Sequence, residues 1–218
     1  MTALNVPAAI LQRRSIKTFK PDPIAPELLQ QLVELTVAAP SSYNIQDWRI
    51  VLVQSEAQKA ALCAASFNQQ MIMQAPVTFV FAADSRAWAK YTMEKVYEQA
   101  LANGAWPEGT VGYFKKAIPQ FQASLGAQAR EYALKDAMIA ATHLVLAAES
   151  LGLSTCFMNG WVEPQVKQVI GAGEDPDIGI AVLVPVGYAA DPRLNPGRLP
   201  LSANVFVDQF SHPYESLS

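Results

Sequence analysis

Three stretches of this 218-residue chain carry side chains able to do chemistry. Residues 13–19, RRSIKTF, set Arg13, Arg14 and Lys17 around the hydroxyl of Ser15. Guanidinium and ammonium groups complement phosphate oxygens, so this cluster can grip an anion. A solvated basic face has the same composition. Residues 38–48, AAPSSYNIQDW, run through Pro40 and then set out Ser41, Ser42, Tyr43, Asn44, Gln46 and Trp48, six side chains that can hydrogen-bond. Serine and asparagine favour turns anyway. The same residues also suit a loop that grips a flat ligand with polar edges. Arg198 stands far downstream in ADPRLNPGRLP, residues 190–200. Together the three would serve a ligand with a phosphate at one end and a heteroaromatic ring at the other.

Side-chain catalysis finds few parts here. There is no GxSxG elbow, and neither Cys63 nor Cys156 stands in a nucleophile motif. The two cysteines form no CxxC pair, and with only His143 and His212 a metal site is not expected. We therefore assign no catalytic acid or base and no metal ligand. A net charge of −3 and a pI near 5.4 argue against a nucleic-acid partner. No apolar run reaches the ~18 residues of a membrane span, and the N-terminus lacks the order of a signal peptide, so a cytoplasmic protein is expected. With 51% hydrophobic and 16% charged residues, extra burial is expected, most simply in an oligomer interface, with a large core accounting for some of it.

The elements that must position these stretches follow from periodicity. Asn5 caps a short helix over residues 6–12, and Pro26 opens a second with Leu28, Leu32 and Leu35 on one face. Continuous apolar runs at 49–53, 76–83 and 179–188 read as buried strands, and STCFM at 154–158 as a short one. Ser55 with Gln58 begins an alanine-rich helix, and Asp84 is placed as the cap of a helix reaching Asn103, with Trp88, Tyr91 and Tyr97 on it. Residues 105–122 carry Trp106, Tyr113, Phe114 and Phe121 between breaks at Pro107 and Pro119, either a cover over a pocket or ordinary helix packing. Residues 127–151 are apolar nearly all round, a buried helix in which His143 reads as a core histidine. Glu163 and Pro164 start one more helix, and the tail from Leu201 alternates enough to add an edge strand or wrap a partner.

The chain resembles the FMN-dependent nitroreductases. The resemblance is carried by RRSIKTF, by APSSYNIQDW at 39–48, by Asn68 in FNQQ, by STCFMNG, and by PVGY followed by RLPLS with Arg198 before it. It runs over nearly the whole length and implies a single FMN-binding domain over residues 1–218. The fold implied is an α+β sandwich, a mainly antiparallel central sheet wrapped by helices. It would be an intertwined homodimer whose C-terminal strand is exchanged onto the partner. By the same resemblance Arg13, Ser15 and Lys17 hold the FMN phosphate and ribityl chain, Arg14 adds contacts, and Arg198 closes the phosphate site. Asn68 faces the isoalloxazine edge, and Asn159 and Gly160 lie at its reactive edge. Pro40, Ser41, Ser42 and Asn44 reach the flavin bound mainly by the other subunit.

The reaction implied is ping-pong: NADH or NADPH delivers hydride to the flavin, and an electron-poor nitroaromatic or quinone then accepts it. Tyr113, Phe114 and Phe121 are candidates to line the acceptor face. Reductive dehalogenation, other flavin-related chemistry or non-catalytic flavin binding are the alternatives on such a fold. Two positions depart from the family pattern: Asn159 stands where a glutamate is common, and Pro196 where a lysine is common. The second removes one phosphate cation, for which Arg14 would compensate.

Overall fold

The computed structural model describes residues 3–90 and 93–215. Helix α1 (Val6–Gln12) begins where the Asn5 side chain accepts the Ala8 N–H at 3.0 Å, and α2 (Pro26–Val37) begins on proline. Strand β1 (Trp48–Val53) follows, then α3 (Glu56–Ala65), α4 (Met71–Gln74) and β2 (Val77–Asp84). Next come α5 (Ala87–Lys90), α6 (Met93–Ala102), α7 (Glu108–Ser124) and the 22-residue α8 (Ala129–Ser150). Strand β3 (Ser154–Thr155), α9 (Glu163–Val169) and β4 (Ile178–Gly187) complete the core elements.

The four strands form one antiparallel sheet in the order β1-β2-β4-β3. Strands β2 and β4 lie at its centre and are almost wholly buried, which is why their sequences run apolar without alternation. Alternate residues still serve different layers. Val77, Phe79, Phe81 and Ala83 of β2 pack with α2 and α8, whereas Val80 and Ala82 pack with α3, α4 and α9. In β4 the pairing slips at Ala181, because Phe81 pairs with Val182 but Ala82 pairs with Ile180. The bulge reverses the phase: Ile178 and Ile180 face the α3 layer, and Val182, Val184 and Val186 face the α8 layer.

Helix α8 is buried as expected. Ala133, Ala137, Ala140, Ala141 and Ala148 bring its backbone close to the sheet, with Leu144 and Val145 filling the space between. His143 is only half-buried, short of the core position expected for it.

Several expectations are corrected. Pro119 does not break its segment: α7 runs through it, held because Val111, Ile118 and Gln122 are buried and Phe114 packs beneath it. Packing here outweighs the lost backbone hydrogen bond. Asp84 ends β2 rather than starting a long helix, though its carboxylate does accept the Arg86 N–H at 2.9 Å. Tyr91 lies outside the described residues. STCFM contributes only two strand residues plus a bridge from Met158 to Leu183. Within this chain, and without bearing on its expected placement on a partner, the tail pairs with itself through Val207 to His212 and Tyr214 to Val205, after a short 3-10 turn at Leu201–Ala203.

Candidate functional site

The basic cluster is positioned by the sheet edge. Ile16 donates its N–H to the Thr155 carbonyl at 3.0 Å, and Ser15 bridges Thr155 in parallel, so residues 13–17 lie alongside β3. The loop after β4 is stitched to the same segment. Lys20 N–H reaches the Tyr188 carbonyl at 2.9 Å, and Ala190 N–H reaches the Thr18 carbonyl at 3.0 Å. This crossing delivers the distant arginine. Arg13, Arg14, Ser15, Lys17, Arg193, Leu194, Asn195, Pro196 and Arg198 line one open cavity of about 440 Å³. Five of the nine are cations, and no carboxylate stands among these described lining residues, so an anion entering it meets one sign of charge.

The cations differ in what else they do. Arg14 turns back on α1, donating Nη1 to the carbonyls of Leu11, Gln12 and Arg13, each at 2.8 Å. It thereby caps the negative end of that helix. Glu149 of α8 stands near Arg13 and Arg14; burial raises its carboxyl, and the two arginines oppose the rise. Arg193 was seen in the sequence only as part of an arginine-bearing loop and received no role. It joins the cavity five residues before Arg198, as a fifth cation beside Arg13, Arg14, Lys17 and Arg198. Asn195 accepts the Gly197 N–H at 2.9 Å, and the left-handed Gly197 lets this turn close.

A second group lies further along the chain from β3. Asn159 is four residues past Thr155, no more than about 14 Å from the basic cluster's anchor. The Gln69 side chain donates to the Gly160 carbonyl at 3.0 Å, which draws the Phe67–Gln69 turn against Gly160. A Cβ at Gly160 would meet Gln69 Nε2 at 3.1 Å and the Phe67 ring at 3.5 Å, so glycine permits the close approach. Asn68 is the middle residue of that turn, and Asn159 directly precedes Gly160 in the chain.

Residues 40–44 are elsewhere. They lead into β1 at the opposite edge of the sheet from β3, about 14 Å away across three strand spacings. None of them lines the basic cavity. Their backbone is unusual: Tyr43, Asn44 and Gln46 have φ of 50°, 54° and 56°. The other adjacent left-handed pair outside glycine is Phe67 and Asn68, so both loops marked by sequence store backbone strain.

What holds the 41–46 loop is a set of contacts the sequence did not reveal. Gln46 N–H donates to Ser41 Oγ at 2.9 Å, and Ser42 N–H to Asp136 Oδ2 at 3.1 Å. The Tyr43 ring meets Phe114 edge-on at 5.3 Å and Phe121 at 5.8 Å. Phe114 also packs on Trp106 at 5.0 Å and Phe121 on Tyr132 at 5.5 Å. Phe114 and Phe121, expected to face an acceptor, are therefore engaged in holding the loop. Tyr113 remains 65% exposed and free for that role.

The fold thus sets one open, basic cavity beside a sheet edge, among the described residues. The family model for the nitroreductases matches residues 10–188, and the chain belongs to the nitroreductase family. A protein of Thermus thermophilus named NADH dehydrogenase is 33% identical over 202 residues, covering 92% of this chain and 95% of its own. A Bacillus subtilis protein named FMN reductase [NAD(P)H] is 30% identical, covering 89% of this chain and 70% of its own. A nitroreductase-type structure from Exiguobacterium sibiricum, solved in complex with FMN, superposes with a TM-score of 0.80. It is 26% identical over 93% of this chain and 97% of that one. The expected α+β class and family are thus borne out, and no helix among the described residues is long and apolar enough to cross a membrane.

Proposed function

We propose that the protein is an FMN-dependent oxidoreductase that takes hydride from NADH or NADPH and passes it to an electron-poor small molecule such as a nitroaromatic or quinone. The observation that carries this reading is the cavity in which Arg13, Lys17, Arg193 and Arg198 converge from the two ends of a nitroreductase-family chain. Its residues fit a flavin phosphate: five cations and no carboxylate are among the described residues that line it, and Ser15 adds a hydroxyl. Beyond it Asn68 supplies amide hydrogen bonds, and Gly160 leaves room for a close approach.

Bound FMN would supply the hydride-accepting ring, chemistry that none of the chain's own side chains provides. The chain's part is to bind, orient and exclude water. The arginines hold the phosphate, and their charge favours whatever negative charge gathers on the ligand. Asn68 would hold a polar edge of the ring, and the Asn159–Gly160 backbone would approach its reactive edge. Asn159 is neutral, so a nicotinamide meets no carboxylate there. Tyr113 offers an exposed ring for an acceptor.

We further propose a homodimer. The 40–44 loop sits at the sheet edge away from the basic cavity, so it would serve the flavin of the neighbouring subunit. The exposed tail, with Leu194 at 94% and Phe210 at 89%, would lie on the partner. The test is to purify the protein, reconstitute it with FMN, and record the visible flavin spectrum before and after anaerobic mixing with NADH and NADPH. A flavin band bleached on mixing, followed by parallel-line kinetics with nitroaromatic or quinone acceptors, is expected. Absence of FMN affinity would overturn the reading, and a fully active monomer would overturn the dimer.

A further inference from the structure

We propose that Asp47 and Asp136 form a carboxyl pair that shares one proton and thereby locks the 41–46 loop, and that loss of this proton to solvent releases the loop. The two residues come from different layers, Asp47 from the entry to β1 and Asp136 from the middle of α8. They are 2% and 5% exposed, and their carboxyl groups are within hydrogen-bond reach of one another. An ionised carboxylate only accepts, so a hydrogen bond between two carboxyl groups requires a proton on one of them.

The pair is wired to the loop at three points. Asp136 Oδ2 accepts the Ser42 N–H at 3.1 Å. Tyr132, one turn earlier on α8, sets its hydroxyl beside the Ser42 side chain. The Asp47 carbonyl accepts the Asp84 N–H at 2.8 Å, which ties the loop's other end to β2. Three left-handed residues lie between these anchors, each about 1–2 kcal/mol less favourable than a right-handed one. A strained loop needs such anchors to persist.

Among the described residues, charged and titratable groups face the pair from several elements. From β1, Arg49 favours the ionised form of Asp47, and from the end of β2, Asp84 opposes it. Asp84 itself is bridged by Lys90 at 3.5 Å. From α8 comes Tyr132, which in turn faces Tyr43 of the loop. Burial first, and the neighbouring Asp136 second, push Asp47 up to about 7. Burial also raises Asp136, against the pull of the Ser42 N–H.

The direction follows. With the loop closed the pair keeps its proton up to about pH 7, whereas in an opened loop solvated carboxyls release it at about pH 4. Opening therefore becomes about tenfold easier per pH unit between those values, and levels off above the upper one. Asp47 and Asp136 are positioning residues, acting on the ligand only through the loop.

That the loop faces a flavin rests on the proposed function; the lock itself does not. The test is hydrogen-exchange protection of residues 41–46 in FMN-free protein, corrected for the intrinsic pH dependence of exchange. Wild-type protection should fall at least about tenfold between about pH 5 and pH 8. In Asp47→Asn the amide donates to the Asp136 carboxylate without a shared proton, so protection should be equal at both pH values. Asp136→Asn makes the reciprocal bond and keeps an acceptor for Ser42, and should behave alike. FMN release from the loaded protein should quicken over the same range in wild type and not in either variant. Flat protection in wild type, or the wild-type fall retained in both variants, would overturn the lock. A lock without any FMN affinity would instead sink the flavin reading alone.

Discussion

The basic cavity and the 41–46 loop solve opposite problems. The cavity gathers five cations that remain near solvent, on backbone without left-handed residues save Gly197. The loop keeps its chemistry over a buried acid pair and bends its backbone into three left-handed residues. One region is held together by where two chain segments cross, the other by what is packed beneath it. Exposed like charges are tolerated because water screens them. Buried like charges are not, and must share a proton or move apart.

That contrast can be broken or sharpened by substitution. The largest effect is expected at the cavity: Arg13→Ala and Arg198→Ala should each weaken FMN binding by about 1.5–3 kcal/mol, read by quenching of flavin fluorescence. Unchanged affinity in both would put the phosphate somewhere else. For the loop, Phe114→Ala removes the ring that supports Tyr43 and Trp106 and should cost about 2–3 kcal/mol of stability in denaturant titrations. An undisturbed loop in that variant would mean its strain is held by hydrogen bonds alone.

Asp47→Asn comes next, and its sign depends on pH. The folded protein holds the proton up to about 7, while the unfolded chain releases it at about 4, so wild-type stability falls across that interval and stays lower above it. The variant escapes the loss. It should be more stable than wild type by about 2 kcal/mol midway through the interval, at about pH 5.5, with the advantage gone below about pH 4, as thermal melts would record. The smallest effect is Arg193→Ala, about 1 kcal/mol in FMN affinity, shrinking as salt is added. Salt should leave the pH response of the loop almost untouched, because its charges are buried.

Much of the site was legible because its residues are local. RRSIKTF is a cluster within seven positions, and SSYN stands unbroken in the chain. Arg198 could be joined to them only through family resemblance, since the link is the crossing of residues 188–190 over 18–20. Arg193 offered one signal, a second arginine in the same loop. Asp136 offered none: it follows Lys135 in an otherwise apolar stretch of α8, eighty-nine positions after Asp47. A pairing of that kind depends on how α8 lies across the sheet. The helix through Pro119 was hidden for a related reason, as its support comes from rings brought in by other segments.

The slip in β4 has a consequence for altering this chain's length. Ala181 is the extra residue between Ile180 and Val182 in the ladder with β2. Remove it, and Ile180 still faces the α3 layer, Val182 still faces the α8 layer, and the ladder becomes regular. Remove a neighbour such as Leu183 instead, and every residue to one side of the cut turns to the wrong layer. The central strand thus carries its own reading-frame correction, and Ala181 is the position where a one-residue deletion leaves the pattern of faces intact.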